Sequence, residues 1–219
     1  MRTVFLHGFA TTPEVWHNQQ PDLAPQLRFD DIAGEASRVI KELWNWGTGD
    51  IVLVGWSLGG MVALRAAAIA PEKIKTLILV STTPKYIRSD DFPFGTPLVL
   101  LKRLEKRIAR EGTKAFHDLV FKNGARIGVA HLTINEVERE LRMLERIDLR
   151  PLLAKIACPT LIIHGDRDEI CPPAAAIFMK ENIPGSELVM LEGVGHAPMI
   201  EAPELFNSHM QRFIDNHAG

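Results

Sequence analysis

Short unbroken apolar runs alternate along this chain with longer segments whose apolar residues recur every three to four positions. The runs Thr3–Leu6, Ile51–Val54, Thr76–Val80 and Thr160–Ile163 are rich in Val, Ile and Leu and are bounded by Gly, Asp or Pro. Runs of that kind predict strands buried on both faces, as in a parallel sheet. Glu187–Leu191 is a weaker fifth. Between them, Ile32–Trp46 sets Ile32, Ala36, Val39, Ile40 and Leu43 on one helical stripe. Leu58–Ala70 is Ala-rich and stops at Pro71, which cannot continue a helix. Pro203–Asn216 carries Leu205, Phe206, Met210, Phe213 and Ile214. Strand–helix–strand alternation predicts an α/β fold: a mostly parallel sheet with right-handed crossovers and helices on both faces.

Residues 85–150 break the rhythm and hold no convincing strand. Leu98–Arg110 places Leu101, Leu104 and Ile108 on one face and basic residues on the others. Asn135–Asp148 has the apolar stripe Val137, Leu141 and Leu144, with Asn135 three residues before Glu138 as a variant capping box. The pattern predicts a helical cap at 85–150 inserted into a core made of 1–84 and 151–219, with no internal repeat and no flexible linker.

Composition narrows the class. The chain has 219 residues, 46% hydrophobic and 24% charged, which is ordinary for a globular protein with a sizeable core. No apolar run approaches the roughly 18 residues of a membrane helix, and the apolar stretch at the N-terminus is too short for a signal peptide. Two cysteines, Cys158 and Cys171, make neither a disulfide framework nor a metal cluster. The expectation is a cytoplasmic protein with free thiols and no metal. A net charge of −2 argues against general nucleic-acid binding. That charge is uneven: residues 85–150 hold 14 basic and 10 acidic residues, while the rest holds 11 basic and 17 acidic.

The strongest chemical signal is Gly55-Trp56-Ser57-Leu58-Gly59, directly after one predicted strand and directly before a helix. A turn that tight strains the serine backbone and requires glycine two residues to either side. It lifts the Ser57 hydroxyl above the sheet edge, where the free N–H of Leu58 at the helix start can stabilise a developing oxyanion. A hydroxyl is a poor nucleophile without a base. His196, in Gly193-Val194-Gly195-His196-Ala197-Pro198, follows the last predicted strand and is the candidate. His7 and His164 also end strands and are its rivals, although a histidine there more often holds a loop. The imidazole needs a carboxylate to set its tautomer. His164-Gly165-Asp166-Arg167-Asp168 offers two. Asp168 is preferred, because its longer offset lets the side chain turn back toward His196, while Asp166 suits a loop brace. The second oxyanion donor is expected from the loop after the first strand, at the N–H of Phe9. The chain order is then Ser57, Asp168, His196.

These residues carry a resemblance. His7-Gly8-Phe9, Gly55-Trp56-Ser57-Leu58-Gly59-Gly60, Gly165-Asp166-Arg167-Asp168 and Gly195-His196-Ala197-Pro198 together resemble the α/β-hydrolase superfamily over nearly the whole chain outside the insertion. Within it, Ser81-Thr82-Thr83-Pro84, Ser89-Asp90-Asp91-Phe92-Pro93 and Ile147-Asp148-Leu149-Arg150 resemble the BioH-type pimeloyl-acyl-carrier-protein methyl ester esterases of biotin synthesis. The resemblance implies Ser57 as nucleophile, His196 as base, Asp168 as acid, Phe9 and Leu58 as the oxyanion hole, and no cofactor. It implies acyl carrier protein as a partner that docks on a basic cap. Lys102, Arg103, Lys106, Arg107, Arg110, Lys114, Lys122 and Arg126 fit that role by composition, and an ordinary solvated helix face is the alternative.

The chain also departs from the family. It starts at what corresponds to the third strand, and the stretch 16–31 is short, so a reduced sheet of about six strands is expected. Trp56, Phe92, Phe94, Phe116 and Phe121 are candidates for an apolar acyl channel, with cap-core packing as the competing reading. A general carboxylesterase or thioesterase shares the same triad. A non-catalytic binding protein on this fold is the reading from another class.

Overall fold

The computed structural model describes residues 1–47, 49–121 and 127–217. Five strands form one parallel sheet in sequential order: β1 (Arg2–Leu6), β2 (Ile51–Trp56), β3 (Ile74–Val80), β4 (Thr160–Gly165) and β5 (Glu187–Leu191). All six residues of β2 are buried, as a central strand covered on both faces requires. Moving steadily across the sheet in one direction, right-handed crossovers put their helices on one face. There α1 (Ile32–Asn45), α2 (Leu58–Ile69), a 3-10 turn at Arg150–Lys155 and α6 (Pro173–Asn182) pack in succession. Helix α2 is apolar nearly all round and is the most buried of them.

The sheet has five strands where about six were expected. The sixth shrinks to a single bridge, Leu23 beside Val4, with Phe5 N donating to Leu23 O (2.9 Å) and Leu23 N to Thr3 O (3.1 Å). Pro21 and Pro25 flank that bridge and carry no N–H, so pairing cannot propagate. Because this excursion runs the other way across the sheet, the 3-10 turn at Pro13–Trp16 falls on the opposite face. The C-terminal helix α8 (Pro203–Asn216) meets it there: Trp16 and Phe206 lie 6.4 Å apart, and Gln19 donates to Asn207.

Between β3 and β4 lie α3 (Leu98–Glu111), α4 (Lys114–Val120) and α5 (Ile134–Arg146), with no sheet strand among the described residues. Helix α5 starts one residue earlier than the Asn135 expectation. Thr133 and Glu136 form the capping box, because threonine with glutamate three residues on satisfies both orphan donors. Helices α4 and α6 lack a stripe that sequence periodicity can pick out: α4 is only two turns long, and α6 opens on Pro173 and three alanines. Both ends of the 85–150 segment are clamped together. Arg150 pairs with Asp91 and Asp148 (2.6 Å each) and lies over the Phe92 ring, and Leu149 N donates to Pro84 O (2.8 Å). The segment also rests on the core, where His117 Nε2 meets Ala10 O (2.7 Å) and Thr96 donates to Ile170 O (3.0 Å).

Candidate active site

Ser57 joins β2 to α2 in a left-handed backbone conformation, φ 55° and ψ −119°. A non-glycine residue there stores roughly 1–3 kcal/mol of strain, and its surroundings must hold it. Ser57 N donates to Val80 O (2.9 Å), and its carbonyl accepts from Gly60 N (2.9 Å) and Thr82 Oγ1 (2.7 Å). The two glycines of the motif are required by contact. A Cβ on Gly55 would lie 2.5 Å from Gly59 O, and one on Gly59 would lie 2.3 Å from His7 O. The second contact also brings the loop after β1 against the start of α2.

The structure brings Ser57, His196 and Asp168 together. His196 Nε2 lies 3.0 Å from Ser57 Oγ, and its Nδ1 lies 2.8 Å from Asp168 Oδ2. All three are buried, with Ser57 the most accessible at 8%. Asp168 Oδ1 accepts from the N–H groups of Ile170 (2.8 Å) and Cys171 (2.9 Å). Burial alone would raise the Asp168 pKa. The imidazoles of His196 and His164 outweigh it and hold the carboxyl well below its usual range. Asp166, two residues earlier, turns elsewhere and accepts from Gly193 N (2.7 Å), bracing the histidine loop. Two supports of that loop escaped the sequence reading. Trp56 Nε1 donates to His196 O (2.7 Å), and Glu201 of the short helix α7 (Pro198–Glu201) accepts from Gly195 N (2.9 Å) and Ala197 N (3.0 Å).

With Nδ1–H donated to a carboxylate, His196 presents an Nε2 lone pair to the serine hydroxyl, and can take its proton. The N–H groups of Leu58, first residue of α2, and of Phe9 donate to no acceptor among the described residues. Both residues line the cavity above Ser57. The rival histidines are held differently. His7 Nε2 accepts from Leu27 N (2.9 Å) while Nδ1 donates to Gly8 O (3.0 Å), and burial lowers its pKa to about 4.

The cavity is apolar. Met61, Ile170 and Cys171 line it, with Tyr86, Leu101, Leu104, Phe116, Leu141 and Leu144 from residues 85–150. Of the five aromatic residues proposed for an acyl channel, Phe116 alone lines it. Phe92 and Phe94 instead cluster with Phe178 of α6, at centroid distances of 5.2 and 5.5 Å. Trp56 lies fully buried against the His196 ring (5.5 Å), and Phe121 packs behind Trp56 (6.4 Å). The leucine stripes of α3 and α5 supply more of the cavity wall than these aromatic residues do.

Several of the basic residues named for docking are ion-paired. Lys102 pairs with Glu105 and Glu145, Arg107 and Arg110 with Glu111, and Lys114 with Asp118. Arg103 and Lys106 make no ion pair among the described residues, and Lys122 and Arg126 lie outside those residues. Among the described residues, no helix is long and apolar enough to cross a membrane.

Comparison with known proteins agrees with this architecture. Residues 3–209 match the alpha/beta hydrolase family. A pimeloyl-[acyl-carrier protein] methyl ester esterase of Nitrosomonas europaea is 32% identical over 94% of this chain and 92% of its own length. The protein of the same name from Nitrosospira multiformis is 29% identical over 96% and 93%. Among solved structures, an esterase from Exiguobacterium antarcticum superposes with a TM-score of 0.82 at 24% identity, covering 97% of this chain and 91% of that one. A bromoperoxidase from Bacillus anthracis does so at 0.84 and 20%, with the same coverage. With sheet, serine turn and family match in accord, this chain belongs to the alpha/beta hydrolase family.

Proposed function

We propose that this protein is a cytoplasmic serine carboxylesterase that hydrolyses the methyl ester of a pimeloyl chain carried on acyl carrier protein, a step of biotin synthesis. The chain is a carboxylic ester hydrolase. In this reading Ser57 Oγ attacks the ester carbonyl as His196 Nε2 takes its proton. Asp168 stays ionised and holds the imidazolium. The N–H groups of Leu58 and Phe9 receive the negative charge on the carbonyl oxygen, where loss of one such donor typically costs ~10²–10³ in rate. His196 returns the proton to the departing methanol. Water then attacks the acyl-enzyme by the same route in reverse, releasing the carboxylate.

The observation that carries the reading is the hydrogen-bonded series Ser57–His196–Asp168, with 3.0 and 2.8 Å between partners, opening on a narrow apolar cavity. The full-length relatives named for the pimeloyl ester support the substrate. The ion pairs across the basic cap favour a second reading, a general carboxylesterase or thioesterase for small acyl groups that needs no carrier.

Kinetics on two substrates separate them. Reversing Arg103 and Lys106 to Glu should slow hydrolysis of carrier-linked pimeloyl methyl ester and leave the free methyl ester unaffected. Equal rates on both substrates before and after the change would favour the general esterase.

A further inference from the structure

His164, next to last in β4, is fully buried and takes no part in the proton transfer described above. Its Nε2 lies 2.8 Å from Cys171 O and 3.2 Å from Asp168 Oδ2. A carbonyl oxygen and an ionised carboxylate only accept, so this nitrogen carries the proton: it is hydrogen-bonded to Cys171 O, with Asp168 Oδ2 close beside it. The other ring nitrogen, Nδ1, is buried with no partner among the described residues. An orphaned buried nitrogen is costly, and an apolar residue of similar size would avoid that cost. What the ring supplies in return is an N–H that bonds Cys171 O and faces Asp168 Oδ2.

With that donor, each carboxylate oxygen receives two. Oδ1 holds the N–H groups of Ile170 and Cys171, and Oδ2 holds the imidazoles of His196 and His164. The ionisable groups around it are His196, Asp168, Cys171 and Tyr86, all buried. Cys171 and Tyr86 stay neutral, because burial raises both. The carboxylate of Asp168 therefore meets the two imidazoles and two backbone amides as its donors.

We propose that His164 is a positioning residue for ester hydrolysis: its Nε2–H, divided between Cys171 O and Asp168 Oδ2, locks the carboxylate plane so that Oδ2 stays directed at His196 Nδ1. The proposal rests on Ser57, His196 and Asp168 acting as the proposed triad.

The test compares His164→Leu with His164→Gln, whose amide N–H can stand in for Nε2–H, on a p-nitrophenyl ester. The second readout is the low-field proton resonance of His196 Nδ1–H. His164→Leu should lower kcat about tenfold, the worth of one charge-assisted hydrogen bond, with KM little changed and the low-field resonance displaced. His164→Gln should restore most of both. A folded His164→Leu enzyme with wild-type kcat and an unmoved resonance would overturn the proposal and leave His164 as a loop brace. Should the leucine variant not fold, the histidine nitrogen spectrum of the wild type decides. An Nε2–H tautomer whose nitrogen shift moves when His196 is protonated supports the role; an Nδ1–H tautomer, which cannot donate to Asp168, or an Nε2 shift indifferent to His196 overturns it. Ser57→Ala keeps the two questions apart. Turnover that survives it removes the triad, whereas turnover lost there but intact in His164→Leu removes only the positioning role.

Discussion

Replacing Glu140 with glutamine should stabilise the protein by an amount that grows with pH. Glu140 sits on the inner face of α5, 2% exposed, with its Oε2 unpartnered among the described residues. Burial pushes its carboxyl up to about 8 from the ordinary 4.5; Arg139 opposes this, and Glu136, Asp30 and Glu35 add to it. Between those two values the native protein holds a proton that the unfolded chain has released. Stability therefore falls as pH rises through that window and levels off above about 8. Each unit of separation is worth about 1.4 kcal/mol, so wild type is handicapped by about 3 kcal/mol at neutral pH. Glutamine keeps the shape and the unpaired oxygen but not the titration. Urea unfolding of both proteins at constant ionic strength should show the gap widening by about 3 kcal/mol between about pH 5 and pH 7.5. A gap independent of pH would refute the reasoning. So would a wild type that gains on the variant as pH rises, which would mean that Glu140 is ionised and paired with Arg139.

Three further outcomes follow from the same structure. His7, neutral and satisfied at both ring nitrogens, has its pKa lowered by burial to about 4, so the unfolded chain binds its proton first on acidification. Stability should drop by up to about 3 kcal/mol as pH falls from about 6.5 to about 4, and His7→Gln should flatten that slope in the same urea series. Thr133→Ala removes one half of the α5 capping box and should cost about 1 kcal/mol, read as a Tm lower by roughly 2–4 °C. Trp56→Phe leaves the buried His196 carbonyl without its donor, and should destabilise by about 1–3 kcal/mol while lowering turnover more than it changes KM.

How much of this could be read from the chain depended on whether a feature is local. The serine turn was legible because its constraint is steric and short-range: Gly55 and Gly59 stand where any Cβ would strike backbone. β2, β3 and β4 were legible because strands buried on both faces leave unbroken apolar runs, whereas β5, buried only at Leu191, left a weaker signal. Asp166 and Asp168 were harder to tell apart. They are two residues apart, and only the fold shows one turning to Gly193 and the other to His196. The lining of the cavity above Ser57 was less legible because its walls come from helices far apart in sequence, and a leucine stripe looks the same whether it faces a filled core or a space. The pairing of charges across residues 85–150 was hidden for a related reason. A sequence counts acids and bases but not which faces which, and in space Glu105, Glu111, Asp118 and Glu145 pair with Lys102, Arg107, Arg110 and Lys114.

The central claim is that the Ser57 hydroxyl, activated by His196, is the nucleophile. The direct measurement is peptide mass spectrometry after treatment with a fluorophosphonate, alongside hydrolysis of a short p-nitrophenyl ester by Ser57→Ala. One phosphonate per chain on the peptide carrying Ser57, and a variant without turnover, is the result predicted. A label on another residue, or ester hydrolysis that persists in Ser57→Ala, would contradict it.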